Sequence, residues 1–211
     1  MRDPMGIYGA GGHGREVGWL AEELGHQVVA FIDDGARVDQ ILAGVPVVTL
    51  DQFVASFPEV PVAMAIGSPS DRESATGAAT SVGLELATLV HPSVMRSERV
   101  SIGEASVVFP GSIITTDADI GGNVQVNLAC TISHDVTIGE FCTLAPGVHI
   151  AGGVLLGRRV IIGAGAVIIN STADRPISIG DDAVVGAGAV VTRAVEPGTT
   201  VVGVPARNLG S

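Results

Sequence analysis

Every sixth residue from Ile102 to Ile168 is Ile, Val or Leu, twelve positions in a row. Two places before each stands a small or modest side chain: Val100, Ser106, Ser112, Ala118, Val124, Cys130, Val136, Cys142, Val148, Val154, Val160 and Ala166. A glycine follows the branched residue every eighteen positions, at Gly103, Gly121, Gly139 and Gly157. A period of six nested in a period of eighteen describes a triangular coil, with three short strands per turn and each turn stacked on the last.

Composition agrees with a narrow core. The chain of 211 residues is 46% hydrophobic but only 3% aromatic, with 29 glycines. Large rings do not fit a thin prism filled by Ile, Val, Ala and Cys. The net charge of −11 argues against a nucleic-acid groove, which needs a basic footprint. There is no lysine, so Schiff-base and lysine-nucleophile chemistry are excluded. The two cysteines, Cys130 and Cys142, both fall on the small interior position and read as free thiols filling core space. The N-terminus lacks the charged-then-apolar pattern of a signal peptide, and no apolar run is long enough to span a membrane. A cytoplasmic protein is expected.

The first ninety residues follow another rule. Residues 5–10 and Gln27–Ile32 read as strands, and Val60–Ile66 as a third. His13–Leu24 and Asp71–Val82 have helical character. Strands alternating with helices imply a small parallel α/β sheet. The expected division is a Rossmann-like α/β domain over 1–90 and the coil over 91–211, with His91-Pro92 breaking the pattern. The hexad slips after Ile168: the next branched position is Ile179, a step of eleven. The insertion holds Asn170, Ser171, Thr172, Asp174, Arg175 and Pro176, and should project as a loop from one corner. After Val191 the register dissolves into a segment suited to capping the last coil.

The general rule for parallel crossovers favours a right-handed connection. The hexad itself, however, resembles the left-handed β-helix of the hexapeptide-repeat acyltransferases. Three further stretches, IYGAGGHG near the N-terminus, SHDVTIGEF around His134 and the terminal VVGVPAR, resemble one branch of that superfamily. It comprises sugar acetyltransferases with a small Rossmann-like N-terminal domain. Its members act on nucleotide-linked 4-amino-sugars of the bacillosamine and perosamine pathways, or on sialic acids as O-acetyltransferases. The resemblance implies an acetyl-CoA-dependent N-acetyltransferase without a metal, and a homotrimer with sites between subunits. Four alternatives stand beside one another: amino-sugar N-acetylation, sialic acid O-acetylation, a catalytically silent trimeric scaffold, and a zinc enzyme of the γ-carbonic-anhydrase type. The last needs three histidines from neighbouring strands, whereas the coils hold only His134 and His149.

Site residues follow from the same resemblance. His134, in an outward turn position, matches the family's catalytic base, and Asp135 stands where an acidic partner, often glutamate, holds the ring. Contact with Nδ1 would leave Nε2 free as base; without contact Asp135 is a surface carboxylate. Asn127 matches a polar residue near the sugar, and equally suits a coil turn. Some relatives carry a histidine at the position of Thr143, near the acetyl group. Gly152, Ala164 and Ala187 are expected to line the pantetheine arm of acetyl-CoA, with Arg158, Arg159, Arg193 and Arg207 as candidates for its phosphates.

Gly9, Gly11 and Gly14 spell G-x-G-x-x-G between a strand and a helix, with Asp33 about twenty residues on. Taken alone this is a dinucleotide fingerprint, but the α/β segment is short for a complete dinucleotide domain. The resemblance places Gly11, Gly12 and His13 against the nucleotide part of the substrate, Asp33 and Asp34 against its base or ribose, and Gly67 in the pocket wall. A tight turn with ordinary helix packing is the structural alternative.

Overall fold

The computed structural model describes residues 2–35 and 38–209, and the chain divides into two compact units at His91/Pro92. In the first unit, strands β1 (Pro4–Tyr8), β2 (Gln27–Ile32), β3 (Ile41–Leu42), β4 (Val45–Val48) and β5 (Val62–Met64) form one sheet in the order β3-β4-β2-β1-β5. All pairings are parallel except the β3-β4 hairpin at the edge. Helices α1 (Gly12–Glu23), α2 (Leu50–Ser56) and α3 (Pro69–Ser81) cover it. Ile7, Val17, Leu20, Phe31, Phe53 and Met64 are buried in its core. The β3-β4 hairpin and α2 are additions to the sequence expectation. Helix α2 carries a capping box: the Thr49 hydroxyl accepts from the Gln52 amide at 3.2 Å, and the Gln52 carbonyl oxygen accepts from the Thr49 amide at 2.8 Å. Helix α3 starts two residues earlier than expected, with Ser68 as N-cap and proline in its first turn.

The second unit is the coil, a left-handed parallel β-helix. Two-residue strands eighteen apart pair in register on three faces. One face stacks Ile113–Ile114, Thr131–Ile132, His149–Ile150 and Val167–Ile168. The second stacks Asp119–Ile120, Thr137–Ile138 and Leu155–Leu156, and the third Gln125–Val126, Thr143–Leu144 and Ile161–Ile162. From Ile114 onward every branched hexad residue is buried, as is every small residue two places before it. From Ile102 to Ile162 the corners turn through a left-handed residue three places after each branched one, at Ala105, Asp117, Asn123, Ala129, Asp135, Phe141 and Arg159 among others. Where a glycine recurs every eighteen, the corner is tight: a Cβ on Gly139 would lie 2.5 Å from the Gly157 carbonyl oxygen.

Inside the prism the polar small residues are spent between coils. Ser106 and Ser112 donate to the carbonyls of Gly121 and Asn127, and Cys130 and Cys142 to those of Ala145 and Gly157, each fifteen residues on. Both thiols are free and buried, and burial pushes Cys130 up to about 11. The insertion after Ile168 closes as a tight hairpin, with paired Thr172–Arg175 backbone bonds of 3.0 Å. Pairing resumes beyond it without a slip, Leu155 with Ser178 and Ile161 with Val184. No helix among the described residues is long and apolar enough to cross a membrane.

Candidate active site

Two groups of expected residues assemble, one in each unit. In the first unit a cleft of about 640 Å3 opens where β1, β2 and β5 end, lined by Gly11, Gly12, His13, Asp33, Asp34 and Gly67. This is the place where an open parallel sheet binds ligands. The glycines divide by role. A Cβ on Gly14 would sit 2.0 Å from the Gly9 carbonyl oxygen, so that glycine lets α1 press against the turn. A Cβ on Gly11, Gly12 or Gly67 would meet nothing within 4 Å. Packing does not demand glycine there, and the space they leave is cleft.

Helix α1 begins at the cleft with Gly11 as its N-cap and no side-chain cap, so its first amides are oriented for an anion. The His13 ring is held by Glu16 at 3.3 Å. Asp34 is committed within the protein: Oδ1 accepts from the Leu50 amide at 2.9 Å and Oδ2 from the Tyr8 hydroxyl at 2.9 Å. Burial, then this bond, pushes the Tyr8 hydroxyl well above the ordinary tyrosine range. Asp33 accepts from the Gly35 amide at 2.8 Å. The sequence did not single out Arg72, which is fully buried on α3 and donates to the carbonyls of Ile66 (2.6 Å) and Gly67 (3.2 Å). It fixes the loop that forms one wall of the cleft. Ser68-Pro69 followed by an arginine inside a helix was the available signal.

On the coil, His134 and Asp135 occupy one corner, with side chains 59% and 69% exposed. The Asp135 carboxylate reaches Nδ1 at 2.7 Å. The left-handed conformation of Asp135 (φ 58°) turns its short side chain back toward the ring. An ionised carboxylate only accepts, so Nδ1 carries the hydrogen and Nε2 presents its lone pair. One coil on, eighteen residues later, Gly152 lies directly against the ring: a Cβ there would be 2.5 Å from both Cε1 and Nε2. Gly152 is thus a floor for the imidazole as well as an expected cofactor contact. One coil before, Arg99 donates to both oxygens of Asp117, at 2.7 and 3.2 Å, and to the Thr116 hydroxyl. The Arg99 guanidinium foremost, then the Thr116 hydroxyl and more weakly His134, hold the Asp117 carboxyl below the usual carboxylate range.

The other expected coil residues lie elsewhere on the prism. Ala164 and Ala187 stack at a different corner, joined by a 2.8 Å bond from the Gly188 amide to the Ala164 carbonyl. Thr143 stands on the face leading to that corner. Asn127 is buried, and its Nδ2 donates to the Leu144 carbonyl at 2.9 Å. Arg158 pairs with Glu140 at 2.9 Å, and Arg159 binds both oxygens of Asp182 at the third corner. Those two guanidiniums hold coils together there. Arg193 and Arg207 line a cleft of about 320 Å3 beside the C-terminal segment. No group of three metal-ligating side chains converges among the described residues.

Comparison with known proteins matches both halves. The PglD N-terminal domain family covers residues 5–77, and the bacterial transferase hexapeptide (six repeats) family residues 135–170. The chain is 33% identical to the GDP-perosamine N-acetyltransferase of Escherichia coli O157:H7, over 97% of this chain and 95% of that protein. Among solved structures, WeeI from Acinetobacter baumannii AYE is 35% identical, with a TM-score of 0.92 over 97% of this chain and 99% of that one. PerB from Caulobacter crescentus, in complex with CoA and GDP-perosamine, is 33% identical, with a TM-score of 0.88 over 98% of this chain and 97% of that one. With fold and relatives in agreement along nearly its whole length, the chain belongs to the acetyl-CoA-dependent hexapeptide-repeat sugar acetyltransferases that carry a PglD-type N-terminal domain.

Proposed function

We propose that this protein transfers the acetyl group of acetyl-CoA to the amino group of a nucleotide-linked 4-amino-sugar, with His134 as general base. The observation that carries the reading is the oriented imidazole: Nδ1 fixed by Asp135 and Nε2 presented over Gly152. The amine nitrogen attacks the thioester carbonyl carbon, and Nε2 takes the proton the nitrogen loses. Collapse of the tetrahedral intermediate breaks the C–S bond, and the imidazolium returns the proton to the CoA thiolate. The buried thiols of Cys130 and Cys142 are poor candidates for an acetyl-enzyme, which favours direct transfer.

The first-unit cleft would hold the nucleotide, with its phosphates at the start of α1 and Asp33 toward the ribose or base. GDP-linked sugars are the first candidates, because two of the relatives matched over nearly the whole chain are a GDP-perosamine N-acetyltransferase and a protein solved with GDP-perosamine bound. His134 and Gly152 stand at one corner of the prism, Ala164 and Ala187 at another. Two copies packed corner to corner would bring both sets to one cofactor, which supports a trimer with shared sites.

The test is release of CoA thiol from acetyl-CoA across GDP-, UDP- and dTDP-linked 4-amino-sugars and free sialic acid, with His134→Ala as control. Turnover with one amino-sugar nucleotide, lost in the variant, is the expected result. Turnover with sialic acid alone would move the protein to O-acetylation. Silence on every acceptor, with no binding of acetyl-CoA, would leave a scaffold.

A further inference from the structure

Arg72 shapes the first-unit cleft without lining it. The side chain is fully buried on α3, and one nitrogen, Nη1, donates to the carbonyls of both Ile66 (2.6 Å) and Gly67 (3.2 Å). Ile66 and Gly67 line the cleft, and the guanidinium lies behind them. A buried cation is costly unless it is hydrogen-bonded, so these charge-assisted contacts hold the loop firmly. A trans peptide is planar, with its C=O and the following N–H pointing in opposite directions. The Gly67 carbonyl is turned inward to Arg72, and the Ser68 N–H is therefore turned the other way, to the cleft side of the loop.

The Ser68 amide makes no hydrogen bond among the described residues. Its side chain is engaged elsewhere: the hydroxyl accepts from the Asp71 amide at 3.5 Å and meets the Ser70 hydroxyl at 3.3 Å. The side chain thus caps α3, and the main-chain donor before the helix is left over. Charge in the cleft gives that donor a purpose. Among the described residues the cleft is lined by the carboxylates of Asp33 and Asp34 but by no lysine or arginine. A diphosphate entering it must be met by main-chain N–H groups.

The strand order says which phosphate. Along the sheet β2, β1 and β5 are neighbours in that order. Asp33 follows β2, the Gly11 N-cap of α1 follows β1, and Gly67 follows β5. A nucleoside at Asp33, with its first phosphate at the start of α1, continues toward Gly67 and Ser68. Resting on the nucleotide-sugar reading above, we infer that Arg72 is a positioning residue for the substrate's diphosphate. It does not touch the ligand; it holds the Ser68 amide where that N–H donates to the distal phosphate, the one that carries the sugar. That phosphate is then held between two sets of main-chain donors, the first amides of α1 and the amide of Ser68.

The experiment exploits the backbone of Ser68, whose φ of −68° and ψ of 122° suit proline, with a glycine before it. Ser68→Pro deletes the amide hydrogen together with the side-chain cap, whereas Ser68→Ala deletes the cap and keeps the amide. Binding of GDP and of guanosine, which lacks phosphates, is measured by calorimetry on the full chain, alongside Tm. If UDP or dTDP is the nucleotide bound, it and its nucleoside take the place of GDP and guanosine. Ser68→Pro should bind GDP about tenfold more weakly, the size of one charge-assisted contact, with guanosine unchanged; Ser68→Ala should bind both within about twofold of wild type. Arg72→Lys, which keeps the charge but not the reach, should weaken GDP at least as much. It should raise KM for the amino-sugar nucleotide while kcat and KM for acetyl-CoA hold. Wild-type GDP affinity in Ser68→Pro would overturn the inference. So would equal weakening toward GDP and guanosine in either variant, which would make the loop a wall and not a phosphate donor. Wild-type GDP affinity in Arg72→Lys would overturn the role of Arg72, and the Ser68 pair still reads the amide if that variant fails to fold. A wild-type protein that binds none of GDP, UDP and dTDP would instead overturn the nucleotide reading itself.

Discussion

Replacing Gly152 by alanine tests the arrangement of the base without touching the base itself. The added Cβ would lie 2.5 Å from Cε1 and Nε2 of His134, against ordinary contact at 3.4 Å or more. The ring must therefore withdraw by about 1 Å, and because its side chain is 59% exposed it can do so into solvent. Withdrawal strains the 2.7 Å bond to Asp135 and takes Nε2 off its line to the attacking amine. A misplacement of this size costs about 100-fold in rate, or ~2.7 kcal/mol of transition-state stabilisation. Fold stability should hardly change, since the strain is relieved outward. The assay is kcat from CoA-thiol release at saturating acetyl-CoA and acceptor, paired with thermal unfolding. A kcat within twofold of wild type would refute the claim that Gly152 sets the ring. A Tm lowered by many degrees with proportionate loss of activity would show that the glycine serves the coil instead.

Asp135→Asn should lower kcat tenfold or more while leaving acetyl-CoA affinity intact, because an amide no longer enforces the tautomer that exposes Nε2; unchanged kcat would count against the pair. Gly11→Val and Gly14→Ala should behave oppositely. The first fills open cleft and raises KM for the nucleotide sugar at least tenfold without loss of Tm, whereas the second collides with Gly9 and destabilises the fold by about 1–3 kcal/mol. Arg159 holds the folded-state pKa of Asp182 below its unfolded value, so this pair stabilises the protein above the unfolded pKa and loses that effect as pH falls through the folded one. Tm measured against pH should decline more shallowly on the acid side in Asp182→Asn than in wild type. Cys130 should resist alkylation at pH 8 in the native protein and react only on unfolding, since burial keeps its thiol protonated up to about pH 11.

The hexad made the coil legible because each interior position is filled from two residues of fixed type, and the same count of eighteen foretells more than the fold. Glu140 and Arg158, and Arg99 and Asp117, are opposite charges eighteen apart, and each pair is an ion pair. Arg159 and Asp182 are twenty-three apart, which is one coil plus the insertion. Gly152 under His134 follows from the same arithmetic. The left-handed turn residues were hidden, because Ala105, Phe141 and Arg159 carry side chains in a conformation that composition associates with glycine. In the first unit α2 was missed although Thr49 and Gln52 spell its capping box, since seven residues give little periodicity. The β3-β4 hairpin escaped because Pro46 weakens a strand signal; it is tolerated because pairing with β2 begins only at Val47, and Pro46 faces Ile41 of β3 alone. The reach of Asp135 to the imidazole depended on a backbone angle, which residue identity does not specify.

The insertion at the His134 corner adds length without disturbing a single later pairing. A prism built from stacked coils absorbs extra chain at a vertex because no interior volume changes there. The interval between Ile169 and Ile177 is therefore a natural splice point. Loops of other lengths or charge could be grafted into it while the walls stay in register. The surface such a protein presents at this vertex can then change by exchanging loops, with the hydrophobic column behind them left as it is.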